Sequence, residues 1–296
     1  MKVFVTGASG FIGTPVVQEL LSAGHKVLGL ARSDASANAL TAAGVEVHRG
    51  SLQDPESLAQ GAAQSDGVIH LGFIHDFSKF AENCAIEKRA VEALGAALAG
   101  TDRPLLITSG VAMGSPAPGQ PATEDVFNAN DPNPRVVSET TANALLAQGV
   151  NVSVVRLPQV HNTLKQGLIT YLIATAREKG LSAYVGQGQN RWPAAHVSDV
   201  ARLYKLALER HEAGARYHAV AEEGVPMRVI AEAIGKGLKV PVQSLNGEAV
   251  KAHFGWLAMF AGYDMPASSK ITREKLGWLP TGEGVIEDLE GMDYSQ

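Results

Sequence analysis

"KVFVTGASGFIG", residues 2–13, decides how this chain is read. An apolar, β-branched run (2–7) meets Gly7, Gly10 and Gly13 in the spacing G-x-x-G-x-x-G. It passes directly into the helical "TPVVQELLSAG" (14–24), which Gly24 closes. Strand, tight turn and helix in that order make an anion cradle. The glycines let the backbone approach a pyrophosphate, and the free N–H groups of the helix N-terminus face its charge. Glycine spacing alone would mark only a turn; its place between a first strand and a first helix points to a dinucleotide. Gly7, Ser9, Gly10, Phe11, Ile12 and Gly13 are expected to line it.

Outward from this unit, short apolar runs alternate with helical stretches. "KVLGLAR" (26–32), "VEVHRG" (45–50), "DGVIHLG" (66–72), "PLLITSG" (104–110) and "VNVSVVRLP" (150–158) read as strands. The helical segments between them include one spanning 76–100 and one spanning 133–149; a Pro/Gly-rich loop, 114–125, precedes the second. Regular alternation without hairpin signals calls for a doubly wound parallel sheet of the Rossmann type, class α/β, with right-handed crossovers. Beyond residue 162 the alternation loosens. Residues 1–162 are therefore expected to form the dinucleotide-binding domain. Residues 163–296 would form a smaller, mostly helical substrate lobe interleaved with late strands of the sheet.

The tip of the second strand bears on which dinucleotide binds. An acid there would hold the ribose hydroxyl of NAD, but the sequence has Ala31, Arg32 and Ser33, with Asp34 just beyond. An arginine can grip a 2′-phosphate with two hydrogen bonds, so NADP(H) is preferred over NAD(H). The alternative is that Arg32 is simply a solvated surface residue.

Bulk properties narrow the class. The 296 residues are 45% hydrophobic and 19% charged with net charge −5, a packed globular composition without the basic footprint of a nucleic-acid binder. With the single Cys84 no intrachain disulfide can form. No apolar run approaches the roughly 18–20 residues of a membrane span, and the first strand leaves no room for a signal peptide. A cytoplasmic protein acting on a small molecule is expected. The nine histidines are dispersed without a carboxylate cluster, so no metal site is expected.

Several segments together, "VTGASGFIG", "DGVIHLG", "LLITSGVAMG", "VVRLPQVHN", "WPAAHVSDVARL" and "SSKITREKLGWLP", resemble the extended short-chain dehydrogenase/reductase family, of the nucleotide-sugar epimerase/dehydratase type. They follow the family's order over nearly the whole chain. The resemblance implies that Leu52 lies near the adenine and that Leu71, Gly72 and Phe73 border the adenosine and ribose. It puts Thr108, Leu157 and Val160 on the cofactor side, the last two by the nicotinamide. It also implies a homodimer contact through helices 76–100 and 134–149, although Glu87, Lys88 and Arg89 equally suit a solvated face.

The same resemblance exposes a departure. The family's Tyr-x-x-x-Lys pair, a general acid/base and the lysine that tunes it, falls on Arg135 and Glu139. The spacing survives and the chemistry does not, since arginine stays protonated. The chain thus resembles an atypical branch of the family. The catalytic hydroxyl position falls near Gly110, or on Ser109 if shifted by one. Candidates for the missing functions are Ser109 to polarise a carbonyl, Arg135 to orient it, and His75 or His161 to give the proton. Each has a plainer alternative. Arg135 and Glu139 would form an i, i+4 ion pair, His75 would solvate a helix start, and His161 would end a strand. Trp192 would stack on substrate or pack in the core, and Asp199 would cap a helix. Two functions stay open: an NADP-dependent reductase of a small carbonyl or activated alkene, or a non-catalytic NADP(H) sensor or scaffold.

Overall fold

The computed structural model describes residues 1–117 and 119–295. Pro118, within the stretch read as a Pro/Gly-rich loop, and Gln296 lie outside the described residues. Strands β1 (Lys2–Thr6), β2 (Lys26–Ala31), β3 (Glu46–Arg49), β4 (Gly67–His70), β5 (Leu105–Gly110) and β6 (Val152–Leu157) alternate with helices α1 (Gly13–Ser22), α2 (Asp34–Ala42), α3 (Pro55–Ala63), α4 (Phe80–Leu98) and α5 (Val137–Ala147). Beyond them follow β7 (Gln159–His161), α6 (Ile169–Lys179), β8 (Ser182–Val185), β9 (Arg191–His196), α7 (Val197–Arg210) and β10 (Arg216–His218). The chain closes with β11 (Glu222–Pro226), α8 (Met227–Leu238), β12 (Val242–Leu245), α9 (Glu248–Phe254), α10 (Ala258–Ala261), α11 (Lys270–Leu276) and α12 (Val285–Gly291).

The main sheet has seven parallel strands in the order β10-β6-β5-β4-β1-β2-β3. The order reverses at β1, the switch point where open α/β sheets hold ligands. Central strands are apolar on both faces because helices cover both. On one side Val16, Val17 and Leu20 of α1 meet Leu203, Ala207 and Leu208 of α7. On the other, Leu58 of α3, Val91 and Leu94 of α4 and Leu145 of α5 close the second layer. Each fully buried Leu or Val contributes about 1.5–3 kcal/mol. The third core, around Trp192, Ile230, Ile234 and Leu289, belongs to the C-terminal lobe, where β11-β9-β7 and β12-β8 form two small sheets. Strand β10 and helix α7 return from beyond residue 162 to the main sheet, so the late elements interleave with the lobe. Among the described residues no helix is long and apolar enough to cross a membrane.

Candidate active site

The cradle at the end of β1 is built to exclude side chains. Gly7 sits at φ +69°, and a Cβ on it would lie 2.9 Å from the Gly72 nitrogen; one on Gly13 would lie 1.9 Å from the Gly7 carbonyl oxygen. Helix α1 starts without a side-chain cap; Thr14 N–H is taken by the Gly10 carbonyl at 2.9 Å and Pro15 carries none, so the N–H groups of Ile12 and Gly13 are the ones left to an anion. Ser9 and Gly10 are exposed, Phe11 and Ile12 half-buried. Leu52 packs beside Gly72, where a Cβ would come within 2.9 Å of its methyl group. Leu71, Phe73 and Leu157 are half-buried along the same strand ends, whereas Val160 is core. At the tip of β2, Ser33 caps α2 through Ser36 N–H at 3.2 Å, and Asp34 is engaged by Arg49. Arg32 is exposed with no hydrogen bond or ion pair among the described residues. These residues fit a dinucleotide, and Arg32 is left free beyond the end of β2.

Arg135 is held beside this cradle. It lies in a 3-10 turn, Pro134–Val136, ahead of α5, with Asn133 Oδ1 accepting its backbone N–H at 2.9 Å. Its Nη1 donates to Ser138 Oγ at 2.7 Å and pairs with Glu87 Oε1 at 2.9 Å, while Nη2 donates to the Thr108 carbonyl at 3.0 Å. The guanidinium covers the Phe73 ring, 4.1 Å from its centroid. Nε–H and the second Nη2–H have no partner among the described residues. Behind Arg135 runs a buried chain. Gly72 N–H donates to Thr6 Oγ1 at 3.0 Å, Thr6 Oγ1 meets His70 Nδ1 at 2.8 Å, and His70 Nε2 meets Glu87 Oε2 at 3.1 Å. Burial alone would raise the Glu87 pKa; Arg135 and then His70 outweigh it and hold it at about 2. Glu87 is therefore a fixed anion, not part of the solvated face that is one of its two readings from sequence.

Glu139 does not pair with Arg135. The i, i+4 geometry needs continuous α-helix, and the 3-10 turn at 134–136 breaks it. Glu139, wholly buried, instead accepts from Arg156 Nε and Nη2, both at 2.8 Å, and from Arg216 Nε at 2.9 Å. Arg156, also wholly buried, spends its other N–H groups on the Thr123 and Val126 carbonyls and on His218 Nε2, at 3.1, 2.9 and 3.1 Å. His218 Nδ1 in turn donates to the Ser268 carbonyl at 2.7 Å. The network ties α5, β6, β10 and the loop after β5 together, so Glu139 is structural.

Burial first and the Arg156 charge second lower the His218 pKa to about 3. Its native pKa thus lies below an unfolded value of about 6.5, so protonation favours the unfolded chain. Stability is complete above the unfolded value and falls as pH drops towards 3. Urea midpoints should fall by the equivalent of about 2 kcal/mol from this residue between neutral pH and about pH 5. His218→Asn should reduce that slope; an unchanged slope would remove His218 from the explanation.

The remaining candidates separate. Ser109 is buried beside the Glu139 carboxylate, whose pKa it helps lower, but without well-aligned hydrogen-bond geometry. Strand alternation turns it the opposite way from Thr108, whose hydroxyl donates to the His70 carbonyl at 2.7 Å and meets the Tyr204 hydroxyl at 2.8 Å. Gly110 offers no hydroxyl. His75 reaches the surface of the loop after β4, its ring 5.4 Å from that of Phe73. Packing, then the charges of Lys165 and Arg135, lower its pKa. His161 is wholly buried, its Nδ1 2.6 Å from Asp288 of α12 and its ring 5.8 Å from that of His196. It clasps the C-terminal lobe and is not brought to Arg135. Trp192 is core, donating to the Tyr263 carbonyl at 3.3 Å. Asp199 does not cap its helix; it is buried and accepts from Thr281 N–H and Gly282 N–H, both at 2.9 Å, while His196 caps α7.

Sequence reasoning missed Lys165, whose Nζ lies 5.8 Å from the Phe11 ring of the glycine loop and which acts electrostatically on His75. Glu87 could have been found. It falls on the stripe Cys84, Val91, Leu94 and Leu98 of α4, all buried, and an acid on an apolar stripe implies a buried partner.

Residues 3–221 match the NAD dependent epimerase/dehydratase family. The chain belongs to that family. An uncharacterized protein of Schizosaccharomyces pombe is 46% identical over 295 residues, covering 99% of this chain and 100% of its own length. The 2-alkyl-3-oxoalkanoate reductase of Stenotrophomonas maltophilia is 26% identical over 260 residues, 81% of this chain and 77% of that protein. Among solved structures, UDP-glucose 4-epimerase of Thermus thermophilus in complex with NAD superposes with a TM-score of 0.76 at 18% identity, covering 100% of this chain and 99% of the other; that likeness concerns the fold. The family match and the reductase among its relatives support the class of NAD(P)-dependent oxidoreductases.

Proposed function

We propose that this family member is an NADP(H)-dependent reductase of carbonyl compounds in which Arg135 replaces the family's tyrosine as the group that orients the substrate oxygen. The observation that carries this is the arginine itself. Three directed bonds and a ring fix its guanidinium beside the dinucleotide cradle, and two N–H groups remain unspent. Bound dinucleotide supplies the hydride. Gly7, Gly10, Gly13 and the α1 N-terminus would hold its pyrophosphate, and Lys165 above Phe11 adds positive charge on that side. Arg135 would draw the carbonyl oxygen and stabilise charge developing on it, a role that needs no proton transfer from arginine. The proton comes from solvent, relayed by His75 in the adjoining loop. His161, closed in by Asp288, takes no part.

Preference for the 2′-phosphate rests on Arg32, free at the end of β2, and on Arg49, which engages the acid two residues on, Asp34. Titration calorimetry should give NADPH tighter binding than NADH. Arg32→Ala should weaken NADPH about tenfold, the worth of a charged hydrogen bond at an exposed site, and move NADH little. Equal losses for both dinucleotides would place Arg32 outside phosphate recognition. NADPH consumption with simple ketones and aldehydes tests the reaction class, and absence of turnover on all of them would contradict it.

A further inference from the structure

The loop after β4, "FIHDFSKF" (73–80), feeds a row of aromatic rings that crosses from the cradle to the C-terminal lobe. Phe73 and Phe80 lie 6.2 Å apart between centroids, and Phe80 and Phe77 5.7 Å apart. Phe77 stacks on Trp256 at 4.8 Å with planes 16° apart. Tyr171 of α6 meets both edge-on, at 6.0 and 5.3 Å, and Phe260 of α10 meets Trp256 at 6.3 Å. Rings packed for stability alone are normally buried, yet Trp256 is 43% and Tyr171 37% exposed. The row begins at Phe73, beneath the Arg135 guanidinium. Neighbouring acids are already engaged, Asp76 with Ser78 and Glu87 with Arg135 and His70.

Most of these rings meet edge to face, at 73–88° between planes, and Phe77 and Trp256 alone stack; an aromatic, half-exposed surface of this kind that ends at a fixed cation has a definite complement. Ring faces stack on a planar conjugated system, and the guanidinium takes an oxygen at its end. We infer that this row is the substrate site and that its substrate is an aryl ketone or aryl aldehyde, the aryl group meeting the row of rings and the carbonyl oxygen on Arg135. The inference rests on the reductase reading above. In the reaction the C=O π bond opens and the hydride from the reduced dinucleotide joins the carbonyl carbon. The oxygen takes one proton from solvent, giving the aryl alcohol and the oxidised dinucleotide.

Acetophenone and cyclohexyl methyl ketone, alike in size and differing in planarity, make the test with the full chain and NADPH. The aryl ketone should show kcat/KM about tenfold higher, the scale of one good aromatic stack. Trp256→Ala should abolish that ratio through KM, and Trp256→Phe should keep it. Binding is read independently, because Trp192 and Trp278 are 0% and 1% exposed and Trp256 is the accessible indole. With NADP+ bound, so that nothing turns over, acetophenone should quench a fluorescence component that Trp256→Phe lacks. Turnover of both ketones at equal kcat/KM would overturn the aryl site and leave the reductase standing. Quenching specific to Trp256 with no turnover of either ketone or of any simple ketone or aldehyde would uphold binding at the rings and overturn the reductase instead.

Discussion

Replacing Glu139 by lysine, alone or together with Arg135→Tyr, is expected to unfold the protein and not to restore the family's usual catalysis. Glu139 is wholly buried and neutralises Arg156, itself wholly buried, while also accepting from Arg216. Loss of one partner from a buried ion pair typically costs about 3–5 kcal/mol. A lysine would add a third positive charge beside two guanidinium groups, and whole domains are stable by only about 5–15 kcal/mol. Glu139→Gln keeps the shape and some hydrogen bonds, so it should fold with a urea midpoint lowered by the equivalent of about 3 kcal/mol. Circular dichroism with urea unfolding of these variants decides the matter. A folded Arg135→Tyr/Glu139→Lys protein with raised turnover would contradict the structural role of Glu139.

Arg135→Met carries the largest expected effect on activity. It removes the oriented guanidinium and should lower kcat/KM for carbonyl reduction by about 10²–10³, the range for deleting one directed charge-stabilising donor. Binding of the dinucleotide should fall far less, because the glycine cradle and Arg32 lie elsewhere. The variant also uncovers Glu87, whose pKa of about 2 depends on Arg135. Glu87 has a native pKa below its unfolded value of about 4.3. Its contribution to stability is therefore present above that value and is lost as pH falls towards 2. That contribution, about 3 kcal/mol in the wild type, should shrink in Arg135→Met, so acid unfolding of the variant should show a smaller share from this group. Arg135→Lys keeps the charge but loses the fork that spans Glu87, Ser138 and Thr108, and should recover only part of the rate. Full activity in Arg135→Met would remove Arg135 from the mechanism.

The sheet was legible because its signals are local. Strands of period two or continuous apolar runs, closed by glycines and followed by helices, need no knowledge of distant partners. The glycine cradle was legible for the same reason: Gly7 and Gly13 answer to contacts within their own turn and with the end of β4. The Arg135–Glu87–His70–Thr6 chain was not, since its members come from α5's approach, α4, β4 and β1 and meet only in the fold. Arg135 and Glu139 resemble a helical ion pair by spacing, yet one sits before the helix and the other faces β6. Arg156 gave a partial signal, as a charge in the otherwise apolar run "VSVVRL" demands a buried counter-charge. Lys165 gave none, because its approach to Phe11 depends on where the turn after β7 falls.

The most direct measurement is deuterium transfer. NADPH labelled at the nicotinamide C4 position is incubated with the protein and acetophenone, and the alcohol is isolated for mass spectrometry. Hydride transfer at the Arg135 site predicts deuterium on the carbinol carbon, formed by wild type and reduced about 10²-fold or more in Arg135→Met. Tight NADPH binding with no labelled alcohol from acetophenone or from any simple ketone or aldehyde would contradict it and leave a protein that senses the dinucleotide without reducing anything.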